Sequence, residues 1–435
     1  MSTTAEVRLW GSRIGAVSLA NGARVADFAY DPEFANSGIE VAPLMMPLAA
    51  RRTYRFPDLA TNSFHGLPGL LADALPDKYG NTLIDAWLAT QGRTPQSFNA
   101  IERLCYTGTR GMGALEFAPV HGPRVRTAQR IQIDALVALA SEVLSHRDNL
   151  RGSFGDESRA DALRDILRVG TSAGGARAKA VIAWNEKTGE VRSGQAVADA
   201  GFGYWLLKFD GVRNNRDKEL ADPKGYGAVE YAYFMMARQA GINISECRLL
   251  EEGGRRHFMT RRFDRDANGD KHHMQSLAAI AHLDFNDASA YSYEQALLVM
   301  RQLNLPMEQL EEQYRRMVFN VIARNQDDHV KNIAYLMDRQ GRWSLSPAFD
   351  ITWAYNPSGE WTARHQMSIQ GKREDFTLED LAACARTASL SAPRARDIVE
   401  QVRASVGQWQ RFAEAAAVEP SWRTQIAGSL RTDLR

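Results

Sequence analysis

The chain has 435 residues, more than one ordinary core holds, and about two or three domains are expected. Hydrophobic residues at 44% and charged residues at 24% lie near the globular average, so apolar material for burial is ample. Lys+Arg against Asp+Glu is 53 against 52 with no basic arm, so direct DNA binding is not indicated. Cys105, Cys247 and Cys384 are far apart and odd in number, which argues against a disulfide framework or a zinc site. No run approaches the roughly 18 apolar residues of a membrane span, and no signal sequence opens the chain, so a cytoplasmic protein with no membrane partner is expected.

Residues 7–30 carry three strand-like runs, VRLW, IGAVSLA and ARVADFAY, with Asn21-Gly22 between the last two. Both residues tolerate the positive φ of a type I′ turn, so a hairpin is predicted there. Helical spacing follows in GLPGLLADALPDKYGNTLIDAWLATQG and PQSFNAIERLCYTG, then a short strand in GMGALEF. The His121-Gly122-Pro123 turn is a boundary, which makes residues 1–123 one β-rich α+β subdomain.

ALVALASEVL and RADALRDILRVG read as helices, the second stopped by Gly170. The small-residue loop 170–177 leads straight into the strand-like run 179–184. Successive small residues let backbone N–H groups converge on an anion, but the loop is neither GxGxxG nor a Walker loop, and a plain linker reads equally well. YWLLKFD is a second apolar strand with one lysine, Lys208, either an edge gatekeeper or a phosphate contact. The helix pattern after it is expected to begin near Glu230 and end at Gly241. Glu230 is then either the partner of Lys208 or a solvated acid near a helix start. ECRLLEE and RHFMTRRFD are further strands, and beyond them the chain is mainly helical. Strands first and helices second is the order of a two-lobed α+β domain: an N-lobe over 124–263 and a C-lobe over 264–435.

The exception to the helices is the stretch Arg324–Ile351. Asp327 and Asp328 follow a long helix pattern at its negative end, where an exposed acid costs roughly 0.3–1 kcal/mol unless Lys331 or a charged His329 offsets it. An antiparallel hairpin of 333–338 with 343–348, setting 338 opposite 343, would put Asp350 opposite Lys331 and beside Asn332. Asp327 and Asn332 fit D-x-x-x-x-N, the interval at which a catalytic loop presents a base and an amide oxygen, and Asp350 adds a metal carboxylate. Magnesium accepts such an all-oxygen set, completed by phosphate oxygens. Base, amide and carboxylate together point to phosphoryl transfer.

Over most of its length the chain resembles the HipA family of serine/threonine kinases, toxins of bacterial toxin–antitoxin pairs. The resemblance lies in GSRIGAVSL, LLADALPDKYG and GTRGMGALEF, and in QSLAA, NQDDHVKNIAYL and WSLSPAFDI. It implies a two-lobed protein-kinase-like α+β fold, ATP and Mg2+ as cofactors, Asp327 as catalytic base, and Asn332 and Asp350 as metal ligands. The nucleotide-contacting set is then Lys208, Glu230, Ser172, Gly174, Gly175, Arg261, Phe263, His329 and Lys331. Ser172, or the adjacent Thr171, matches the serine that family members phosphorylate on themselves. Thr260 to Phe263 matches the adenine-contacting connector, although Arg261 stands where the family member compared has an acid. Ile351 replaces the glycine of eukaryotic kinases, in agreement with the family. The implied partners are a small helix-turn-helix antitoxin, DNA mainly through that antitoxin, and a protein substrate such as an aminoacyl-tRNA synthetase. The competing readings are an antitoxin-bound transcriptional co-repressor with little catalysis and a small-molecule phosphotransferase.

Overall fold

A computed structural model of the chain describes residues 2–122, 128, 130–145, 166–167, 170, 177–212 and 224–435. The first sheet contains β1 (Thr3–Leu9), β2 (Ser12–Leu19), β3 (Asp27–Tyr30), β4 (Thr53–Tyr54) and β5 (Leu115–Ala118), in the order β4-β3-β2-β1-β5. Strict alternation buries Ala5, Val7 and Leu9 of β1 on one face, the half-covered pattern of an antiparallel sheet. The tight turn with both central residues at positive φ is Trp10-Gly11, at +50° and +81°, and not Asn21-Gly22. Of the predicted pair only Gly22 is at positive φ, in a turn closed by Ala23 N to Ala20 O. β3 pairs with β2 only from Asp27 onward, so the connection is too long for a type I′ hairpin.

The second sheet contains β6 (Lys179–Trp184), β7 (Val191–Ser193), β8 (Gly203–Lys208), β9 (Cys247–Glu252) and β10 (Arg255–Arg261), ordered β7-β6-β8-β10-β9. β8 is its central strand and Lys208 is buried, which removes the edge-gatekeeper reading. The helices Lys78–Thr90 and Ile133–Ser145 send Leu83, Leu136 and Ala140 into one core with Ile182 and Leu207 of this sheet. The helix Tyr226–Gln239 packs against β9 and β10 and begins four residues earlier than its apolar pattern suggests. Glu230 therefore lies inside the helix and is 2% exposed, so a solvated acid at a helix start is excluded. The predicted helix 159–170 lies mostly outside the described residues.

The third sheet is small: β11 (His273–Ser276), β12 (Ala334–Met337) and β13 (Trp343–Leu345). The remaining C-terminal part is helical, built on Tyr293–Gln302, Met307–Ile322, Leu378–Thr387 and Ala392–Val406 around Tyr314, Phe319, Ile398 and Trp409. Among the described residues no helix is long and apolar enough to cross a membrane.

Candidate active site

The hairpin forms with a register one residue away from the expected one: Met337 faces Trp343. Asp338 sets it, accepting from Gln340 N and Arg342 N at 2.9 and 3.0 Å, while Gly341 takes a φ of +80°. A one-residue slip reverses which face each side chain takes, so Asp350 does not stand opposite Lys331. The ladder ends near Leu345, and Ala348 instead bridges Ile244 in parallel. The ammonium of Lys331 lies 4.3 Å over the Phe285 ring.

Asp350 reaches across to the second sheet. Its Oδ1 is 2.5 Å from Lys208 Nζ, and the same ammonium is 2.7 Å from Glu230 Oε1. Burial disfavours the charged ammonium, but the two carboxylates outweigh it and hold the Lys208 pKa above its ordinary value. For Asp350 burial raises the pKa, and Lys208, joined by Lys179 and His329, more than reverses this, so the carboxyl stays ionised below the usual carboxylate range. Asp350 itself has a φ of +53°, sparsely populated for a non-glycine residue. Glu230 holds a second cation, Arg177, whose Nη1 is 2.5 Å from Oε2. Arg177, Glu230, Lys208 and Asp350 thus form a chain of alternating charge.

A further lysine faces the same side of the sheet. Lys179 is the register partner of Lys208, and directly paired residues of antiparallel strands share a face. Two facing ammonium groups repel, and each has its own acid: Lys179 Nζ is 2.7 Å from Asp77 Oδ2. Asp77 also caps the helix Lys78–Thr90 by accepting from Gly80 N at 2.6 Å. Burial is the largest influence on both, raising the Asp77 pKa and lowering that of Lys179 against the pull of the ion pair.

On the loop after the helix Met307–Ile322, the Asp327 side chain is half-exposed, with Oδ1 3.7 Å from His329 Nε2. His329 Nδ1 accepts from Lys331 N at 3.2 Å. Asn332 Nδ2 donates to Asp327 O at 2.8 Å, which ties the two ends of the D-x-x-x-x-N interval together. Asn332, Asp350 and His329 line one small cavity. Asp328 lines the same cavity but is buried and fully bonded: it is 3% exposed and accepts from Tyr293 Oη, His365 Nδ1 and Gln366 N at 2.6–2.7 Å. Its carboxyl is pushed up by burial and pulled below its ordinary value by His365 and these hydrogen bonds.

In the connector, Phe263 packs against Phe349 with ring centroids 5.5 Å apart, which links it to the residue before Asp350. Arg261 is not brought to the cluster; half-exposed, it pairs with Glu246 at 3.2 Å. The connector is fixed by Asp264, fully buried, which accepts from Arg262 Nη2, Arg265 Nη1 and Gly113 N at 2.7–2.9 Å. Thr171, Ser172, Gly174 and Gly175 lie outside the described residues.

Local pattern pointed to Lys208, Glu230, Asp327, Asn332 and Asp350, but missed Arg177, Asp77 with Lys179, and the anchoring of Asp328. Arg177 and Lys179 flank the strand start at the end of the small-residue loop, and the acids they meet, Glu230 and Asp77, lie far off in sequence. Asp77 sits 102 positions from Lys179, beyond any local pattern.

Among the described residues no group of three or more His, Cys, Asp or Glu could hold a metal ion. One carboxylate and one amide suit magnesium, which retains waters and takes its other ligands from phosphates. Asp350 is ionised and partly exposed, and the donor end of the Asn332 amide is fixed on Asp327 O, so these two residues fit that ion.

The fold and this lysine–glutamate–aspartate cluster define the class as a two-lobed, kinase-like α+β protein with a β-rich N-terminal part. Residues 5–118 match the HipA N-terminal domain and residues 171–409 the HipA-like C-terminal domain; the chain belongs to the HipA family. Among solved structures it is similar to HipA of Shewanella oneidensis MR-1, solved with HipB and operator DNA, at 16% identity and a TM-score of 0.67. That match covers 98% of this chain and 96% of the other. The Helicobacter pylori proinflammatory kinase CtkA aligns at 9% identity and a TM-score of 0.31, over 52% of this chain and 92% of its own. No curated protein matches the chain in sequence.

Proposed function

We propose that this chain is an ATP- and Mg2+-dependent serine/threonine protein kinase, the cytoplasmic toxin of a toxin–antitoxin pair. The observation that carries the reading is the meeting of Lys208 with both Glu230 and Asp350, next to a loop that closes Asp327 on Asn332. A buried ammonium kept charged and held by a helix glutamate is what orients a polyphosphate. Asp327 is the exposed acid of the loop, suited to receive a substrate hydroxyl. In the step, the hydroxyl oxygen forms a bond to the γ-phosphorus, the bond from that phosphorus to the β–γ bridging oxygen breaks, and the proton passes to Asp327. Magnesium, held by Asn332 and Asp350, would supply charge neutralisation on the phosphates. Phe263 and the backbone of Thr260–Phe263 form the adenine side, with His329 and Lys331 at the phosphate end.

Ser172 is the proposed site of autophosphorylation. Family resemblance makes a translation component such as an aminoacyl-tRNA synthetase the proposed substrate. The Shewanella relative was solved with HipB and operator DNA, which supports a helix-turn-helix antitoxin as partner and indirect contact with DNA. Incubation with Mg-ATP, followed by intact mass measurement and phosphosite mapping, tests the enzyme. A phosphate on Ser172 in the wild-type protein is expected, and no transfer to itself or to any supplied synthetase would overturn the reading.

A further inference from the structure

Adjacent acids on the loop have opposite surroundings. Asp327 is half-exposed, whereas the side chain of Asp328 is 1% exposed and has donors on both oxygens. Tyr293 Oη and His365 Nδ1 donate to Oδ2, and Gln366 N donates to Oδ1. Only an ionised carboxylate accepts from that many directions; an amide in its place presents a donor to at least one of these groups. Since Asp328 is the acceptor, the Nδ1 nitrogen of His365 carries the proton.

The bonds run on from Asp328 and return to the loop. Tyr293 Oη accepts from Asn320 Nδ2 at 3.0 Å, and Asn320 Oδ1 accepts from Asn325 Nδ2 at 2.9 Å. Asn325 and Asp328 bracket Asp327 in sequence, so one chain of hydrogen bonds begins and ends on either side of it. Two more ties fix the same short stretch: Gln326 N donates to Ala354 O, and Ala354 N donates to Arg324 O. On the far side, His365 is fixed in turn, donating from its backbone to Arg373 O at 3.0 Å and accepting from Arg373 Nε at 2.5 Å. The loop is therefore held between the helix Tyr293–Gln302 and the segment 361–373, with Asp328 as the joint.

We infer that Asp328 is the positioning residue of the catalytic loop, aiming Asp327 by clamping its neighbour to Tyr293, His365 and Gln366. The inference rests on Asp327 being the base. Asp328 touches neither nucleotide nor hydroxyl; its effect passes through the loop backbone. The phosphate-end residues off this loop, Lys208, Glu230 and Asp350, make no bond to this network. Disturbing the joint is therefore expected to lower kcat by more than it raises the KM for ATP.

The test uses the full chain with Asp327→Asn, Asp328→Asn, His365→Ala and His365→Asn, measuring kcat and KM for ATP together with the stoichiometry of binding of a fluorescent ATP analogue. In Asp328→Asn and His365→Ala, kcat is expected to fall on the order of 10²-fold, the cost of a misplacement of about 1 Å, with a smaller change in KM and the stoichiometry unchanged. His365→Asn restores a side-chain N–H near the Nδ1 position and is expected to recover much of the loss. The double variant Asp328→Asn with His365→Ala is expected to be no worse than the worse single one, since both break one joint. Wild-type kcat in Asp328→Asn, or losses that follow only the fraction of protein able to bind nucleotide, overturns the positioning role. If Asp328→Asn does not fold, the two His365 variants decide, and equal kcat in both overturns it. Asp327→Asn separates the two claims: activity retained there removes the base assignment itself, whereas an inactive Asp327→Asn beside an active Asp328→Asn removes only this inference.

Discussion

Replacing Asp77 by Asn isolates one buried charge. Asparagine caps a helix as well as aspartate does, so the bond from Gly80 N and the start of the helix Lys78–Thr90 are preserved. What is lost is the carboxylate that Asp77 presents to Lys179, which is 1% exposed. Removing one member of a buried pair costs about 3–5 kcal/mol, because the other charge stays behind uncompensated. The low end is expected here, since Asp350 also attracts the ammonium and burial already lowers the Lys179 pKa, leaving deprotonation as an escape. That escape gives the effect a sign with pH. Without Asp77 the folded pKa of Lys179 falls further below the unfolded 10.5, and the unfolded chain then binds more protons than the folded one between those two values. Stability of the variant should therefore rise with pH across that window, at up to about 1.4 kcal/mol per pH unit, and the gap to wild type should narrow. Urea unfolding gives the overall change, and amide hydrogen exchange over 78–90 and 179–184 locates it. The double variant Asp77→Asn with Lys179→Met, which removes both charges, should recover most of the loss. A loss under about 1 kcal/mol in Asp77→Asn, or a double variant as unstable as the single one, would refute the argument from burial.

Glu230→Gln leaves Lys208 with Asp350 alone and strips Arg177 of its carboxylate; at about 1.5–3 kcal/mol for a charge-assisted bond, kcat/KM for ATP should fall roughly 10–100-fold, read by initial rates. Acid should weaken the fold before carboxylates titrate. His257 Nδ1 accepts from Asp210 N and His282 Nε2 accepts from Gly69 N, so burial holds both rings neutral, with pKa values lowered to about 4. A depressed folded pKa contributes stability that is complete above the unfolded 6.5 and is lost as pH falls toward about 4, so urea midpoints should drop across that interval. A midpoint flat from pH 7 to 4.5 would contradict this. Asp264→Asn should cost about 3–5 kcal/mol by leaving two buried guanidinium groups short of a carboxylate, measured by urea unfolding at pH 7.

Strand alternation in the first sheet, the apolar runs of β6 and β8, and the spacing of Asp327 and Asn332 were all legible, because each is a local pattern with a short period. The hairpin register was not. It depends on how Asp338 accepts from Gln340 N and Arg342 N, and the ladder then stops near Leu345, so that Asp350 meets Lys208 and not Lys331. Asn21-Gly22 has the right residue types for a tight hairpin, yet the pairing of β3 with β2 starts several residues later, and tertiary packing overrides the dipeptide. The start of the helix Tyr226–Gln239 was hidden by Gly225 at its cap, where no side-chain hydrogen bond marks the boundary. Asp77 with Lys179, Asp264 with Gly113, and Asp328 with His365 are pairings across long sequence separations, which no periodicity encodes. Asp328 shows the limit most clearly, since nothing in Asp327-Asp328 as a dipeptide says which acid faces solvent and which is buried.

The central claim is that this fold transfers phosphate with Asp327 as the base. Its most direct test compares wild type and Asp327→Asn, each incubated with Mg-ATP and followed by intact mass and by binding of a fluorescent nucleotide. The variant is expected to bind nucleotide as wild type does while transfer falls by a factor on the order of 10²–10⁴, the range for loss of a general base. Transfer at the wild-type rate in Asp327→Asn would contradict it.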